Sequence, residues 1–170
     1  MPQAPTLEEL YDQHASALFG FLLNLLRNES DARDVLQDVF TKIAQRPQLL
    51  SNVSEVRGFL LRLSHNSAID VIRRQSTRNR NYDQLAQESV DLFVEGANPD
   101  EQVFQQKLAG AMVELPPDQR AVVHLKLWEH QTFDSIAETL GISPNTAASR
   151  YRYALDKLRE RLRPIYEEIK

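Results

Sequence analysis

Apolar positions recur three and four residues apart along most of the chain, a spacing that predicts helices rather than strands. Leu7, Leu10, Tyr11, Leu18, Leu22 and Leu25 set the first stripe. Ahead of it, Thr6 and Glu9 form a T-x-x-E capping box, so the first helix is expected to begin there. Within this helix the run ALFGFLLNLL is apolar nearly all round, which predicts a place deep in a core. Residues 28–31 read as a turn, with Ser30 the expected cap of a second helix that runs to about Gln45. Its buried face is expected to be Val35 or Leu36, Val39, Phe40 and Ile43, and Pro47 stops it. A loop over about residues 48–53 follows, and Ser54 is the expected cap of a long third helix reaching Arg78. Val56, Phe59, Leu60 and Leu63 share one face of that helix, while Arg62, His65, Asn66, Ile69 and Arg73 fall on another.

From Asn81 to Asp100 the periodicity weakens, and Gly96, Asn98 and Pro99 break structure. This stretch reads as a linker, with a short helical piece around residues 84–93. Periodicity returns with Val103, Leu108, Met112 and Leu115, and Pro116-Pro117 ends that helix. Another helix over residues 118–129 carries Val122, Val123, Leu125, Leu127 and Trp128. The stretch from Thr132 to Arg163 then has the punctuation of a helix-turn-helix. Thr132 is suited to cap a short helix with Ile136, Ala137 and Leu140 on one face. Gly141 stands where a helix end needs positive φ, Ile142 is the apolar plug of the turn, and Ser143-Pro144 supplies an N-cap followed by proline at the first helical position. Ala147, Tyr151, Ala154 and Leu158 form the inner face of the second helix, and Asn145, Thr146, Ala148, Ser149 and Arg152 the other. Small polar residues and arginine at the start of such a helix suit a DNA major groove. The expected fold is therefore all-α: two small helical domains, residues 1–80 and 101–170, joined by an acidic linker at 81–100.

Composition narrows the chemistry. The 170 residues include no cysteine, which excludes disulfides, thiolate zinc sites and thiol catalysis. Among the four histidines, His14, His65, His124 and His130, no two stand at metal-ligand spacing, and neither a glycine-rich phosphate loop nor a G-x-S-x-G motif occurs. No enzyme, metal or cofactor is expected. With no apolar run near the length of a membrane span and no signal-peptide order at the start, a soluble cytoplasmic protein without membrane insertion is expected. The net charge of −4 is unevenly spread. Residues 1–56 hold 4 Lys+Arg against 8 Asp+Glu, residues 57–80 hold 6 against 1, residues 81–118 hold 1 against 8, and residues 119–170 hold 9 against 7. Such blocks point to separate surfaces for separate partners.

Three segments together carry a family resemblance. DARDVLQDVF and VRGFLLRLSHNSAIDVIRR resemble region 2 of bacterial sigma-70-family factors, and LPPDQRAVVHLKLWEHQTFDSIAETLGISPNTAASRYRYALDKLRERL resembles region 4. The order, the short linker and the length resemble the extracytoplasmic-function (ECF) group. The resemblance implies a promoter-specificity subunit that binds core RNA polymerase and reads the −10 and −35 elements. It implies that Asp34, Gln37 and Asp38 dock on the clamp of the polymerase large subunit. Along the −10 element it implies Asn66 as a base reader, with Arg62, His65, Arg73 and Arg74 on the backbone and residues 50–55 forming a pocket for a flipped base. At −35 it implies Asn145, Ser149 and Arg152 at base edges, with Thr146 and Arg150 as phosphate or packing contacts. Asp83, Glu88, Asp91 and Glu95 of the linker would lie near the RNA exit path, and an anti-sigma protein is a further implied partner.

Several positions depart from the family pattern. Ala148 replaces a frequent basic residue, Tyr151 and Tyr153 stand where an aliphatic and a basic residue are usual, and Phe59 stands in a place usually held by Trp. The alternative reading is a stand-alone helix-turn-helix regulator that binds duplex DNA without polymerase, often as a dimer. Protein-only interaction modules and recombinases fit less well, the first because of the basic stripe and the second because no nucleophile has a placed base.

Overall fold

The computed structural model describes residues 3–78 and 99–169, and within them every regular element is helical. The chain divides into two compact units, Met1–Gln87 and Glu88–Lys170. The expected helical piece around residues 84–93 and the acidic linker side chains lie outside the described residues.

The first unit packs α1 (Leu7–Leu26), α2 (Glu29–Gln45) and α3 (Val56–Arg78) against one another. Thr6 and Glu9 close the capping box at the start of α1 in both directions, at 3.1 Å and 2.8 Å. Leu10, Leu18, Phe21, Leu22 and Leu25 of α1 are essentially inaccessible, Ala32, Val35, Leu36, Val39, Phe40 and Ile43 of α2 are buried too, and the two helices pack together. Each such large side chain contributes roughly 1.5–3 kcal/mol by leaving water.

Two expected caps shift. Asn28 replaces Ser30 at the start of α2: its Oδ1 accepts the Asp31 N–H at 2.9 Å, and Ser30 lies within the helix. An amide oxygen at this position satisfies an otherwise unpaired donor as well as a hydroxyl does. At the start of α3 the acceptor is Glu55 rather than Ser54, taking the Gly58 N–H at 2.9 Å. The carboxylate folds close over residue 58, where a Cβ would sit 2.5 Å from the same oxygen and the glutamate side chain would have to shift. Within the expected loop, Pro47–Leu50 forms one 3-10 turn. The inner face of α3 also differs from expectation. Leu60 and Leu61 are fully buried with Ser64 and Ala68, whereas Val56, Phe59 and Leu63 are half-buried.

The second unit is built on α7 (Pro144–Ile169), against which α4 (Pro99–Met112), α5 (Pro117–Leu127) and α6 (Phe133–Leu140) all pack. Its core joins Leu108, Met112, Leu115, Val123, Ala154 and Leu158, with Trp128 and Tyr151 against them. Val103, expected on the inner face of α4, is exposed, as is Phe104. The buried Arg120 donates to the Val113 and Leu115 carbonyls at 3.3 Å and 3.1 Å, serving acceptors that the end of α4 leaves without helical partners.

Candidate nucleic-acid interface

The corner between α6 and α7 forms as its sequence dictates. Thr132 Oγ1 accepts the Ser135 N–H at 3.1 Å. Gly141 adopts φ 69°, and the Ile142 N–H reaches back to the Ala137 carbonyl at 3.0 Å, the six-to-one bond of a Schellman ending. Ser143 Oγ then accepts the Thr146 N–H at 3.1 Å, and the two hydroxyls hydrogen-bond at 2.8 Å. An aromatic seam holds the two helices together. The Phe133 ring meets Tyr151 edge-on at 5.6 Å, and Lys126 Nζ lies 4.5 Å from the Phe133 centroid. Tyr151 is thereby a packing residue, which accounts for its bulk at this position.

Ala147, Ala154 and Leu158 are buried, and this fixes what α7 presents outward. Asn145 and Arg152 are exposed and Ser149 half-buried on the opposite face. The Arg152 guanidinium lies 5.6 Å from the centroid of the exposed Tyr153 ring. Thr146 and Arg150 stand apart from this face. The Thr146 hydroxyl is engaged in the cap, and Arg150 Nε pairs with Asp118 Oδ2 at 3.5 Å. Nothing in the sequence pattern pairs Asp118 with Arg150, because a residue 32 positions away leaves no periodic signal.

In the first unit, two polar ties set the rotation of α3. Lys42 Nζ donates to Ser67 Oγ at 3.3 Å, and Gln75 Nε2 donates to Asp31 Oδ2 at 2.6 Å. With Ser67 and Gln75 turned toward α2, Asn66, Asp70 and Arg73 point outward and are exposed. Arg74 is exposed too, while Arg62 and His65 are half-buried. Residues 50–55 precede α3 directly.

The outward face of α2 carries Asp34, Gln37, Asp38 and Thr41, all exposed and opposite Val35, Val39 and Ile43. Beside it runs an apolar groove of about 350 Å3 lined by Leu7, Tyr11, Leu36, Gln37, Phe40 and Thr41 among others. The Tyr11 ring meets Phe40 edge-on at 5.1 Å. Leu7 and Tyr11 belong to the first apolar stripe of the sequence, yet they are 41% and 50% exposed. Periodicity alone marks such residues as core, so the groove was hidden in the pattern.

Among the described residues no group of His, Cys, Asp or Glu side chains is arranged to hold a metal ion, and no helix is long and apolar enough to cross a membrane.

The fold and sequence have counterparts among known proteins. Sigma-70 region 2 matches residues 10–88 and sigma-70 region 4 matches residues 111–160. The RNA polymerase sigma factor CarQ of Myxococcus xanthus is 30% identical, over 95% of this chain and 92% of its own length. The ECF RNA polymerase sigma factor SigL of Mycobacterium tuberculosis is 29% identical, over 96% and 92% respectively. Among solved structures, the sigma factor RpoE of Bartonella quintana, crystallised with the anti-sigma factor NepR, superposes with a TM-score of 0.78 at 20% identity, covering 92% of this chain and 96% of that one. The chain belongs to the sigma-70 family of RNA polymerase sigma factors, in its extracytoplasmic-function group.

Proposed function

We propose that this promoter-specificity subunit divides its work among three outward helix faces. The α2 face, Asp34, Gln37 and Asp38 with the neighbouring groove at Leu7 and Tyr11, docks on the clamp of the polymerase large subunit. The α3 face lies along the −10 element. There Arg73 and Arg74, with the half-buried Arg62 and His65, meet phosphates, and Asn66 meets a base unstacked from the non-template strand. Residues 50–55 border the same place and supply the pocket for a flipped base. The α7 face enters the major groove at −35, with Asn145, Ser149 and Arg152 at base edges. Arg150 and Thr146 support that helix from its flank.

The observation that carries this reading is the placement of three chemically different faces on two separately folded units. One is acidic and apolar, one mainly basic, and one small and polar with a single arginine. Phosphate contacts alone give affinity without sequence, so two spaced elements and a protein partner are needed to make one promoter choice. Catalysis is left to the polymerase, and the protein works in the cytoplasm where that enzyme is found. An anti-sigma protein is proposed as a further partner, by analogy with the Bartonella relative solved in such a complex. The stand-alone regulator reading is not favoured, since it gives the region 2 unit no task.

Run-off transcription with purified core polymerase on a pool of genomic fragments tests the proposal. Initiation that depends on this protein is expected, lost when Asp34 and Asp38 are both changed to lysine. Tight sequence-specific binding by the isolated protein without any initiation would reject it.

A further inference from the structure

The outward face of α3 carries one residue that phosphate binding does not explain. Residues 57–80 hold a single acid, Asp70. It is exposed on the side of α3 opposite Leu60, Leu61, Ser64 and Ala68. Asn66 precedes it by four residues and Arg73 follows by three on the same face, about 6 Å and about 4.5 Å away along the helix axis. Arg73 and Arg74 stand at the spacings that favour an ion pair, yet Asp70 makes none among the described residues. The two polar ties of α3 to α2 use Ser67 and Gln75 and leave this carboxylate uncommitted.

A free carboxylate turned toward a polyanion weakens binding to every sequence alike, unless it meets a donor. An ionised carboxylate only accepts hydrogen bonds. Cytosine N4 and adenine N6 are base amines that donate in the major groove, and the same amines remain within reach when the strand is unpaired. Thymine presents a carbonyl oxygen and a methyl group at that edge. We propose that Asp70 is a specificity-determining residue for the −10 element, accepting a hydrogen bond from the exocyclic amine of a cytosine or adenine at one position and rejecting thymine there. The asymmetry with Asn66 supports the assignment. An amide both donates and accepts and so tolerates several edges, whereas a carboxylate repels any acceptor placed before it. This inference rests on the proposed lie of α3 along the −10 element.

The test uses holoenzyme reconstituted with purified core polymerase and a promoter library randomised through the −10 element, with bound sequences read out for the unaltered protein, Asp70→Ala, Asp70→Asn and Arg73→Ala. The unaltered protein is expected to select cytosine or adenine at one position. Asp70→Ala should flatten that position by roughly ten-fold and leave the other positions as they were. Asp70→Asn, which adds a donor beside the acceptor, should admit guanine or thymine at that position alone. A uniform rise in binding of all sequences with Asp70→Ala would overturn the proposal, since it would show only relief of phosphate repulsion. Selection of thymine at every position by the unaltered protein would overturn it as well. Arg73→Ala separates the two levels of failure. It should weaken all sequences together and reduce the salt slope by about 1. If Arg73→Ala and Asp70→Ala both leave the library unchanged, α3 does not lie on the promoter, and the proposal falls together with the placement it rests on.

Discussion

The corner between α1 and α2 and the corner between α6 and α7 solve the same geometric problem with opposite materials. Each ends a helix on one residue in the left-handed region and starts the next helix on a capping side chain. At the first, Arg27 holds φ 57° and Asn28 caps α2. At the second, Gly141 holds φ 69° and Ser143 caps α7. Glycine adopts this conformation without steric cost, whereas a side chain there costs about 1–2 kcal/mol. Gly141 is exposed, with open space where a Cβ would stand. Arg27 is only 7% exposed, and its Nε and Nη1 find no acceptor among the described residues. Burial accordingly pushes the pKa of this guanidinium down from its ordinary value. The corner before α7 is thus free of strain, while the corner of the first unit stores strain and a buried, desolvated charge. A strained conformation of this kind persists only where its surroundings over-determine it.

The sharpest way to break this contrast is to load the unstrained corner. Gly141→Val places a β-branched side chain at positive φ and should destabilise the second unit by about 2 kcal/mol or more. Urea unfolding monitored at Trp128, which lies in that unit, reads the change directly. A variant as stable as the parent would show that the corner has no preference for glycine, and the comparison would lose its basis.

The opposite change at the other corner should have the opposite sign. Arg27→Met keeps the buried stem and removes the charge, so the first unit is expected to gain about 1 kcal/mol. Thermal unfolding of the full chain, followed by a probe in the first unit, gives the answer. A loss of stability would mean that the guanidinium has a partner which Met cannot replace.

These two corners also mark what the sequence did and did not reveal. The second was legible because each step has its own residue type: threonine cap, glycine at positive φ, apolar plug, serine cap, proline. The first was not, because arginine is an uncommon residue at positive φ and gives no sign of a helix end. The same gap moved the expected cap from Asn28 to Ser30. Helix existence and the inner faces of α2 and α7 followed from periodicity, whereas Leu7 and Tyr11 of the α1 stripe and Leu127 of α5 are exposed. The rotation of α3 did not, since it depends on Lys42–Ser67 and Asp31–Gln75, pairs separated by 25 and 44 residues. Exposed Leu7 and Tyr11 escaped for a related reason. Spacing marks them as apolar and in register, but only the position of Phe40 shows that they border a groove.

If the corners differ in strain and not in capping, their caps should be worth the same. Asn28→Ala and Ser143→Ala are each expected to cost about 1 kcal/mol, the usual value for an N-cap acceptor. Chemical unfolding of the two variants side by side checks this. A cap at Ser143 worth twice that at Asn28 would show that the Ser143–Thr146 hydroxyl pair adds to the bond with the backbone.

The smallest expected effect concerns the basic residues of the two units. Arg73 and Arg74 in the first unit have no ion-pair partner among the described residues, whereas Arg150 in the second is paired with Asp118 at 3.5 Å. That pair is partly solvent-exposed, so it contributes little to stability, under about 1 kcal/mol. Its consequence is for binding, because an arginine turned toward a carboxylate is not neutralising a phosphate. Asp118→Ala should leave unfolding almost unchanged while releasing Arg150 toward the DNA backbone. Promoter binding by holoenzyme should then grow steeper in its dependence on salt, by about one unit of slope, with no change in the preferred −35 sequence. An unchanged slope would mean that Arg150 stays on the flank of α7 even when released, leaving Arg152 as the cation of the recognition face.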